Sequence, residues 1–279
     1  MTEYRVGVIG WPIEHSLSPV MHNAAFAALG LNNWHYEALA IPPDIIGHSI
    51  KAFRGEGGYT GLNITVPHKQ AVMRFVRPDE RAMALGAVNT IDFRDNSGTN
   101  TDVVGFMQDL AAHGISVAGE RVIVLGAGGA ARAAVYGLVQ AGAQVAVVNR
   151  TPERAQVMLA DLTLSAGIRG VMVQPLADAV LDGVSLVVNC TTVGMYPAVD
   201  ANPWSAEVPF PEGVAVYDMV YRPAQTRLMQ LAEANGGKAV GGLGMLVRQG
   251  AAAFEIWTGQ EAPLDVMFAA VNDALSQRG

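Results

Sequence analysis

Residues 121–131 read Arg121-Val-Ile-Val-Leu125-Gly126-Ala127-Gly128-Gly129-Ala130-Ala131, and an alanine-rich run follows that ends near Gly142. A short apolar run closed by glycines is the pattern of a buried strand. The alanine-rich stretch after it has high helix propensity. A glycine turn between strand and helix lets backbone approach a pyrophosphate and aims free N–H groups and the positive helix end at its charge. The reading predicts that Gly126, Ala127, Gly128, Gly129 and Ala130 cradle a dinucleotide, with Ala131 where such turns often carry a third glycine. The alternative is a plain tight turn, and the clear strand before it and helix after it weigh against that.

The next apolar run, Gln144–Val148, ends in Asn149-Arg150-Thr151. NAD-binding chains usually carry an acidic residue at this point to accept from the ribose hydroxyls. A carboxylate would repel a 2′-phosphate, whereas a guanidinium pairs with one through charge-assisted hydrogen bonds. Arg150, flanked by Asn149 and Thr151, therefore predicts NADP as the cofactor. Its ordinary reading would be a solvated loop cation.

Further strands are expected at Ser185–Asn189, Val214–Tyr217 and Lys238–Val240, an order typical of a dinucleotide-binding fold. Upstream, strands are expected at Arg5–Ile9, Trp34–Leu39, Tyr59–Thr65 and Val88–Phe93. A helix is expected over Ser18–Leu29, with Ser18 as N-cap, Pro19 in the first turn and Gly30 past the end. Its apolar side is read as Val20, Met21, Ala24, Ala25, Ala28 and Leu29. The last forty residues read as helix. The fold class is thus α/β, with an N-terminal α/β substrate domain over 1–102, completed by helices at 241–279, and a Rossmann-type domain over 103–240.

Composition narrows the function classes. The chain has 279 residues, 51% apolar and 15% charged, which suits two packed cores and excludes a disordered chain. The longest apolar stretch is broken by Arg132 and Gln140, so no membrane span is expected. The N-terminus runs directly into a strand-like segment and lacks a signal-peptide pattern. One cysteine, Cys190, allows no internal disulfide and suits a reducing compartment, so a cytoplasmic protein is expected. The net charge of −7 and the lack of a basic stripe argue against a nucleic-acid partner. A small-molecule substrate and a monomer or homodimer are expected, with no metal.

The N-terminal half clusters polar residues where strands end. The segments are Gly10-Trp-Pro-Ile-Glu-His15-Ser16-Leu-Ser18-Pro19-Val-Met-His22-Asn23, Gly61-Leu-Asn63-Ile-Thr65-Val-Pro67-His68-Lys69, Gly86-Ala-Val-Asn89-Thr90 and Gly98-Thr-Asn100-Thr101-Asp102. In the second half stand Asn189-Cys190-Thr191-Thr192-Val193-Gly194-Met195, Asp218-Met219-Val-Tyr221-Arg-Pro223 and Gly242-Leu-Gly-Met245-Leu246-Val-Arg-Gln249. In this order the segments closely resemble the shikimate/quinate dehydrogenase family, from Gly10 to about Thr258. Trp11, where the family often has Asn, and Leu85, where Ile is common, are departures that remove no reactive group.

The resemblance implies NADP-dependent, reversible reduction of 3-dehydroshikimate to shikimate in aromatic amino-acid biosynthesis. It makes Lys69 the catalytic lysine and Asp102 its partner, although alone Lys69 reads as a surface lysine just inside a helix start and Asp102 as an N-cap. It assigns Ser16 and Ser18 to the substrate carboxylate, where hydroxyls at a helix entrance favour an anion. Asn63, Thr65, Asn89, Thr101, Tyr221 and Gln249 fall to the substrate's other groups, and Thr191, Met219 and Gly242 to the cofactor. His15 and His22 read as structural hydrogen-bonding residues, and Cys190 as buried structure. A quinate or dual-specificity enzyme is the near alternative. A catalytically silent NADP-binding sensor is the distant one, and the survival of both Lys69 and Asp102 opposes it.

Overall fold

The computed structural model describes residues 2–277. The chain divides into two compact units: one runs from the N-terminus to Gly105 and resumes at Val247, and the other spans Phe106–Leu246.

The first unit contains β1 (Tyr4–Gly10), α1 (Ser18–Ala28), β2 (Trp34–Ala40), α2 (Ile46–Arg54), β3 (Tyr59–Ile64), β4 (Arg77–Pro78), α3 (Glu80–Leu85), β5 (Thr90–Asp92) and β6 (Ser97–Thr99). Its sheet order is β2-β1-β3-β5-β6-β4. β1 pairs in parallel with β2 and β3, and β5 runs antiparallel to both β3 and β6. The β5–β6 hairpin turns on Asp95-Asn96, where Asn96 is left-handed at φ 61° and Ser97 N donates to Asp95 Oδ1 at 2.9 Å. Ile9, Ile50, Leu62, Ile64, Val72, Val88 and Ile91 fill one core beneath the sheet.

α1 corrects two expectations. Its N-cap is Leu17, so Ser18 is the first helical residue and does not cap. Its buried stripe is Ser18, Met21, His22, Ala25 and Phe26, while Val20 and Leu29 are exposed. Met21 and Ala25 of the expected side are in it; the stripe keeps helical spacing, but two of its members are polar, so hydropathy alone turns the face away from Ser18 and His22.

α4 (Asp102–Ala112) leads into the second unit, which holds β7 (Arg121–Leu125), α5 (Gly129–Gln140), β8 (Gln144–Val148), α6 (Pro152–Ala166), β9 (Met172–Val173), β10 (Val184–Asn189), β11 (Ala215–Asp218), α7 (Arg227–Ala234) and β12 (Ala239–Gly241). The order is β12-β11-β10-β7-β8-β9, with every pairing parallel. Chain order therefore reverses between β7 and β10, where open parallel sheets bind ligands. Ile123, Leu125, Val148, Val187, Val216 and Leu228 form the core, with Trp204 and Phe210 packed on it from the long β10–β11 connection.

The chain ends with α8 (Leu243–Thr258) and α9 (Leu264–Ser276). α8 docks on β3 at Gly61, where an added Cβ would lie 2.1 Å from Trp257 Nε1. That indole donates to the Ile91 carbonyl at 3.0 Å. Arg94 donates to the Trp257 and Ile256 carbonyls at 2.9 and 2.7 Å, placing a cation at the negative end of the helix. No helix among the described residues is long and apolar enough to cross a membrane.

Candidate active site

The antiparallel register of β3 and β5 sets Asn63 opposite Thr90, and that of β5 and β6 sets Thr90 opposite Thr99. One end of β3, the start of β5 and the exit from β6 therefore converge. There Asn89 Nδ2 donates to Thr101 Oγ1 at 3.0 Å and to Asp102 Oδ1 at 2.8 Å. Asn89 Oδ1 accepts from Thr101 N at 2.7 Å, which fixes the orientation of the amide. Asp102 is the first residue of α4, not the residue before it, and its carboxylate bonds Asn89 and Lys69. Asn100 Oδ1 instead accepts from Asp102 N at 3.0 Å.

Lys69 follows β3 in the turn before a short 3₁₀ helix, Ala71–Phe75, not inside a helix as its neighbours imply. Its carbonyl accepts from Val88 N at 2.9 Å, which anchors the turn beside β5. Buried His68 reaches the Ile41 carbonyl through Nε2 at 2.7 Å on the other side. Lys69 Nζ donates to Asp102 Oδ2 at 2.6 Å, with side-chain exposures of 24% and 10%. A charge-assisted bond this short, shielded yet still open to a ligand, is the kind of group that can pass a proton.

Of the other expected substrate residues of this unit, Asn63 joins this cluster through Asn89 and Thr90, and the rest are placed by their own contacts. Thr65 closes β3, its N–H donating to the Ile9 carbonyl at 2.9 Å. Its methyl crowds Gly10, where a Cβ would come within 2.5 Å; glycine there brings β1 and the residues after it close to Thr65. Ser16 Oγ accepts from Ser18 N at 3.3 Å, so the first amide of α1 is met from two residues upstream, while its N-cap, Leu17, makes no side-chain cap bond. Asn63 Nδ2 donates to Thr90 Oγ1 at 3.1 Å and to the Asn89 carbonyl at 3.3 Å. Gln249 is half-buried on α8.

Sequence reasoning overlooks Tyr36 and Thr90. Tyr36, on β2, is buried and donates its hydroxyl to Asn63 Oδ1 at 2.7 Å. The signal is available, since a tyrosine on the inward face of a strand buries a hydroxyl that needs a partner. Burial holds the phenol well above its usual pKa, with Ser18 as a weaker, opposing hydrogen-bond partner. His22 differs from expectation: it is fully buried, both ring nitrogens lack a hydrogen-bond partner, and burial lowers its pKa to about 3. It stacks flat on Tyr36, centroids 4.2 Å apart.

In the second unit the turn after β7 has the form a phosphate cradle requires. Gly126 is left-handed at φ 114°, and a Cβ would meet Thr191 Cγ2 at 3.1 Å. Gly128 and Gly129 are exposed, a Cβ at either would meet open space, and no side chain caps the N-terminus of α5 that they lead into. Asn149 Nδ2 donates to the Thr151 carbonyl at 2.7 Å, while Arg150 is exposed at the end of β8 with no ion pair among the described residues. Thr191 Oγ1 donates to Asn189 Oδ1 at 2.7 Å and accepts from Val193 N at 3.1 Å, shaping the turn after β10. Gly242 is tightly enclosed, with a Cβ there 2.2 Å from the Met219 carbonyl oxygen. These residues fit a bound dinucleotide phosphate. Asp218 anchors this end of the sheet through Asn189, Thr226 and Val220 N, and burial raises its pKa. Tyr221 is half-buried just beyond β11 in this same unit. Burial, and next the Asp218 charge, hold the Cys190 thiol above its usual pKa, consistent with an inert side chain.

A shielded lysine–aspartate pair on one α/β unit and a glycine cradle at the reversal of a parallel sheet on the other define a nicotinamide-dependent dehydrogenase. Residues 8–91 match the family model for the shikimate dehydrogenase substrate binding domain, residues 109–193 that for shikimate/quinate 5-dehydrogenase, and residues 242–271 that for the shikimate 5′-dehydrogenase C-terminal domain. The chain is 42% identical to a shikimate dehydrogenase (NADP(+)) of Methanocella arvoryzae over 275 residues, 99% of this chain and 100% of that one. Among solved structures, a shikimate dehydrogenase in complex with NADP+ is 37% identical with a TM-score of 0.91, covering 98% of this chain and 97% of that one. The Thermus thermophilus shikimate 5-dehydrogenase in complex with NADP(H) and shikimate is 39% identical, TM-score 0.87, covering 97% and 99%. The chain belongs to the shikimate/quinate dehydrogenase family.

Proposed function

We propose that this protein reduces 3-dehydroshikimate to shikimate with NADPH, and runs the reverse oxidation, using Lys69 and Asp102 as its proton-transfer pair. The 2.6 Å bond between them, with Asn89 holding the far carboxylate oxygen, is the observation that carries this reading. NADPH, when bound, supplies the hydride. The protein's share is to hold the ketone and deliver a proton to its oxygen as the alcohol forms. Lys69 Nζ is the donor. Asp102 orients the ammonium and accepts a hydrogen bond from the substrate.

Ser16 and Ser18, at the entrance of α1, take the substrate carboxylate. Asn63, Thr65, Asn89, Thr101, Tyr221 and Gln249 take the ring hydroxyls and fix the ring. On the cofactor side, Gly126–Ala130 receive the pyrophosphate, Arg150 with Asn149 and Thr151 the 2′-phosphate, and Thr191, Met219 and Gly242 the nicotinamide half. The substrate role falls to the unit that ends at Gly105 and resumes at Val247, expected at 1–102 with 241–279, and the cofactor role to Phe106–Leu246, expected at 103–240. A cytoplasmic monomer or homodimer suits the single cysteine.

Lys69→Ala tests the assignment. It is expected to lower kcat by about 10²–10⁴-fold with a much smaller change in the shikimate dissociation constant. Loss of affinity with kcat intact would reduce Lys69 to a binding residue.

A further inference from the structure

Asn63 reaches neighbours with both ends of its amide, and those neighbours decide which end is which. The Asn89 carbonyl can only accept a hydrogen bond, so the group 3.3 Å from it must be the Asn63 Nδ2. The second Nδ2 hydrogen goes to Thr90 Oγ1 at 3.1 Å. Thr90 can accept there because its own hydroxyl donates to Asn89 Oδ1 at 3.0 Å. Both donors of Asn63 are therefore committed within the protein. Its oxygen faces Tyr36, whose hydroxyl at 2.7 Å has to be the donor. One lone pair of Oδ1 is left.

Tyr36 is itself held from three directions. It lies on β2, an edge strand of its sheet, yet its outward backbone groups are not left to solvent. Asn23 of α1 accepts from Tyr36 N at 2.9 Å and donates to Tyr36 O at 2.9 Å, closing the edge as another strand would. His22, the preceding residue on α1, stacks on the ring at an interplanar angle of 2°. Burial keeps the phenol protonated, so it remains a donor throughout the working pH range.

We propose that Tyr36 is a positioning residue for the substrate site. Gripped by His22 and Asn23, it sets the Asn63 amide so that Asn63 offers the substrate an acceptor and not a donor. The inference rests on the reading of Asn63 as a ligand for a substrate hydroxyl. It goes further in stating the polarity of that contact, a hydroxyl donating to Asn63, and in giving His22-Asn23 a purpose that neither nitrogen chemistry nor metal binding supplies.

Tyr36→Phe keeps the ring and its stack and removes the hydroxyl, with its donation to Asn63 and its contact with Ser18. The expected result is a roughly tenfold rise in KM for shikimate, the share of one buried hydrogen bond, with kcat changed less than about threefold and KM for NADP unmoved. Asn63→Ala alone must also raise KM for shikimate. In the Asn63→Ala background most of the effect of Tyr36→Phe is expected to be lost, because a residue acting through Asn63 has nothing left to position there, and only the contact with Ser18 still counts. Asn23→Ala, which loosens the grip but keeps the phenol, is expected to give a smaller rise that shrinks likewise in that background. An equal KM rise in both backgrounds, or none in either, overturns the proposal. A silent Asn63→Ala in an enzyme that still turns over shikimate removes the reading of Asn63 on which it stands. A wild-type protein inactive on shikimate would instead refute the function itself.

Discussion

Replacing Asp102 by asparagine keeps the shape of the side chain and removes its charge. The carboxylate now accepts from Lys69 at 2.6 Å and from Asn89 Nδ2 at 2.8 Å. An amide has one accepting end, so its NH₂ must face either the ammonium or the Asn89 amide, and both are donors. Asn89 cannot turn to relieve the clash, because its oxygen already accepts from Thr101 N at 2.7 Å. A charge-assisted hydrogen bond is therefore lost, worth about 1.5–3 kcal/mol, and a donor–donor contact replaces it. Lys69, 24% exposed, recovers part of that from water, so the loss of folding stability is expected at about 1–2 kcal/mol, below the range for fully buried pairs. Turnover suffers more. With the ammonium misdirected and the substrate's partner gone, kcat is expected to fall by about 10²–10³-fold, equal to roughly 3–4 kcal/mol of barrier. Initial rates of NADPH formation at saturating shikimate and NADP measure this, with urea unfolding as the control for stability. A kcat within about threefold of wild type, whatever happened to KM, would refute the assignment of the pair.

Two further outcomes test other parts of the account. Arg150→Ser should raise KM for NADP by about 10- to 100-fold, the worth of a charge-assisted phosphate contact, and leave KM for NAD nearly unchanged; equal effects on both cofactors would take the 2′-phosphate away from Arg150. His22 stays neutral in the fold with its pKa lowered to about 3, against about 6.5 in the unfolded chain. The unfolded state thus binds the extra proton first, and stability is lost as pH falls below about 6.5, by roughly 1.4 kcal/mol per unit until the folded value is reached. His22→Leu should remove roughly 2 kcal/mol of the stability difference between pH 7 and pH 5, read from urea midpoints; an unchanged difference would show that His22 is not the group titrating.

The nucleotide-binding half is legible because its signals are local. RVIVL, the glycine turn and the helix after it adjoin in sequence, and chain order alone suggests the parallel sheet. The substrate half is harder to read. Lys69 in isolation reads as a surface lysine at a helix start, and only pairing between β3, β5 and β6 brings it to Asp102 across 33 positions; family resemblance anticipates this, and residue chemistry alone does not. β4, β6 and β9 are two or three residues long, too short for a strand period to show. Ser18 reads as a cap because serine before proline has the right chemistry, but Leu17 already adopts helical angles, moving the cap upstream and leaving the Ser18 N–H to Ser16. The inward face of α1 escapes hydropathy because His22 is buried by partners distant in sequence, Tyr36, Phe254 and Trp257. Its role as a ring stacked on another ring has no local mark.

The most direct test of the central claim is turnover by the purified protein of shikimate and quinate, each with NADP and with NAD, followed as reduced cofactor formed. Strong activity is expected for shikimate with NADP and far weaker activity for the other three combinations. Equal or better rates with quinate or with NAD would contradict the assigned substrate or the role of Arg150, and no activity in any combination would contradict the mechanism.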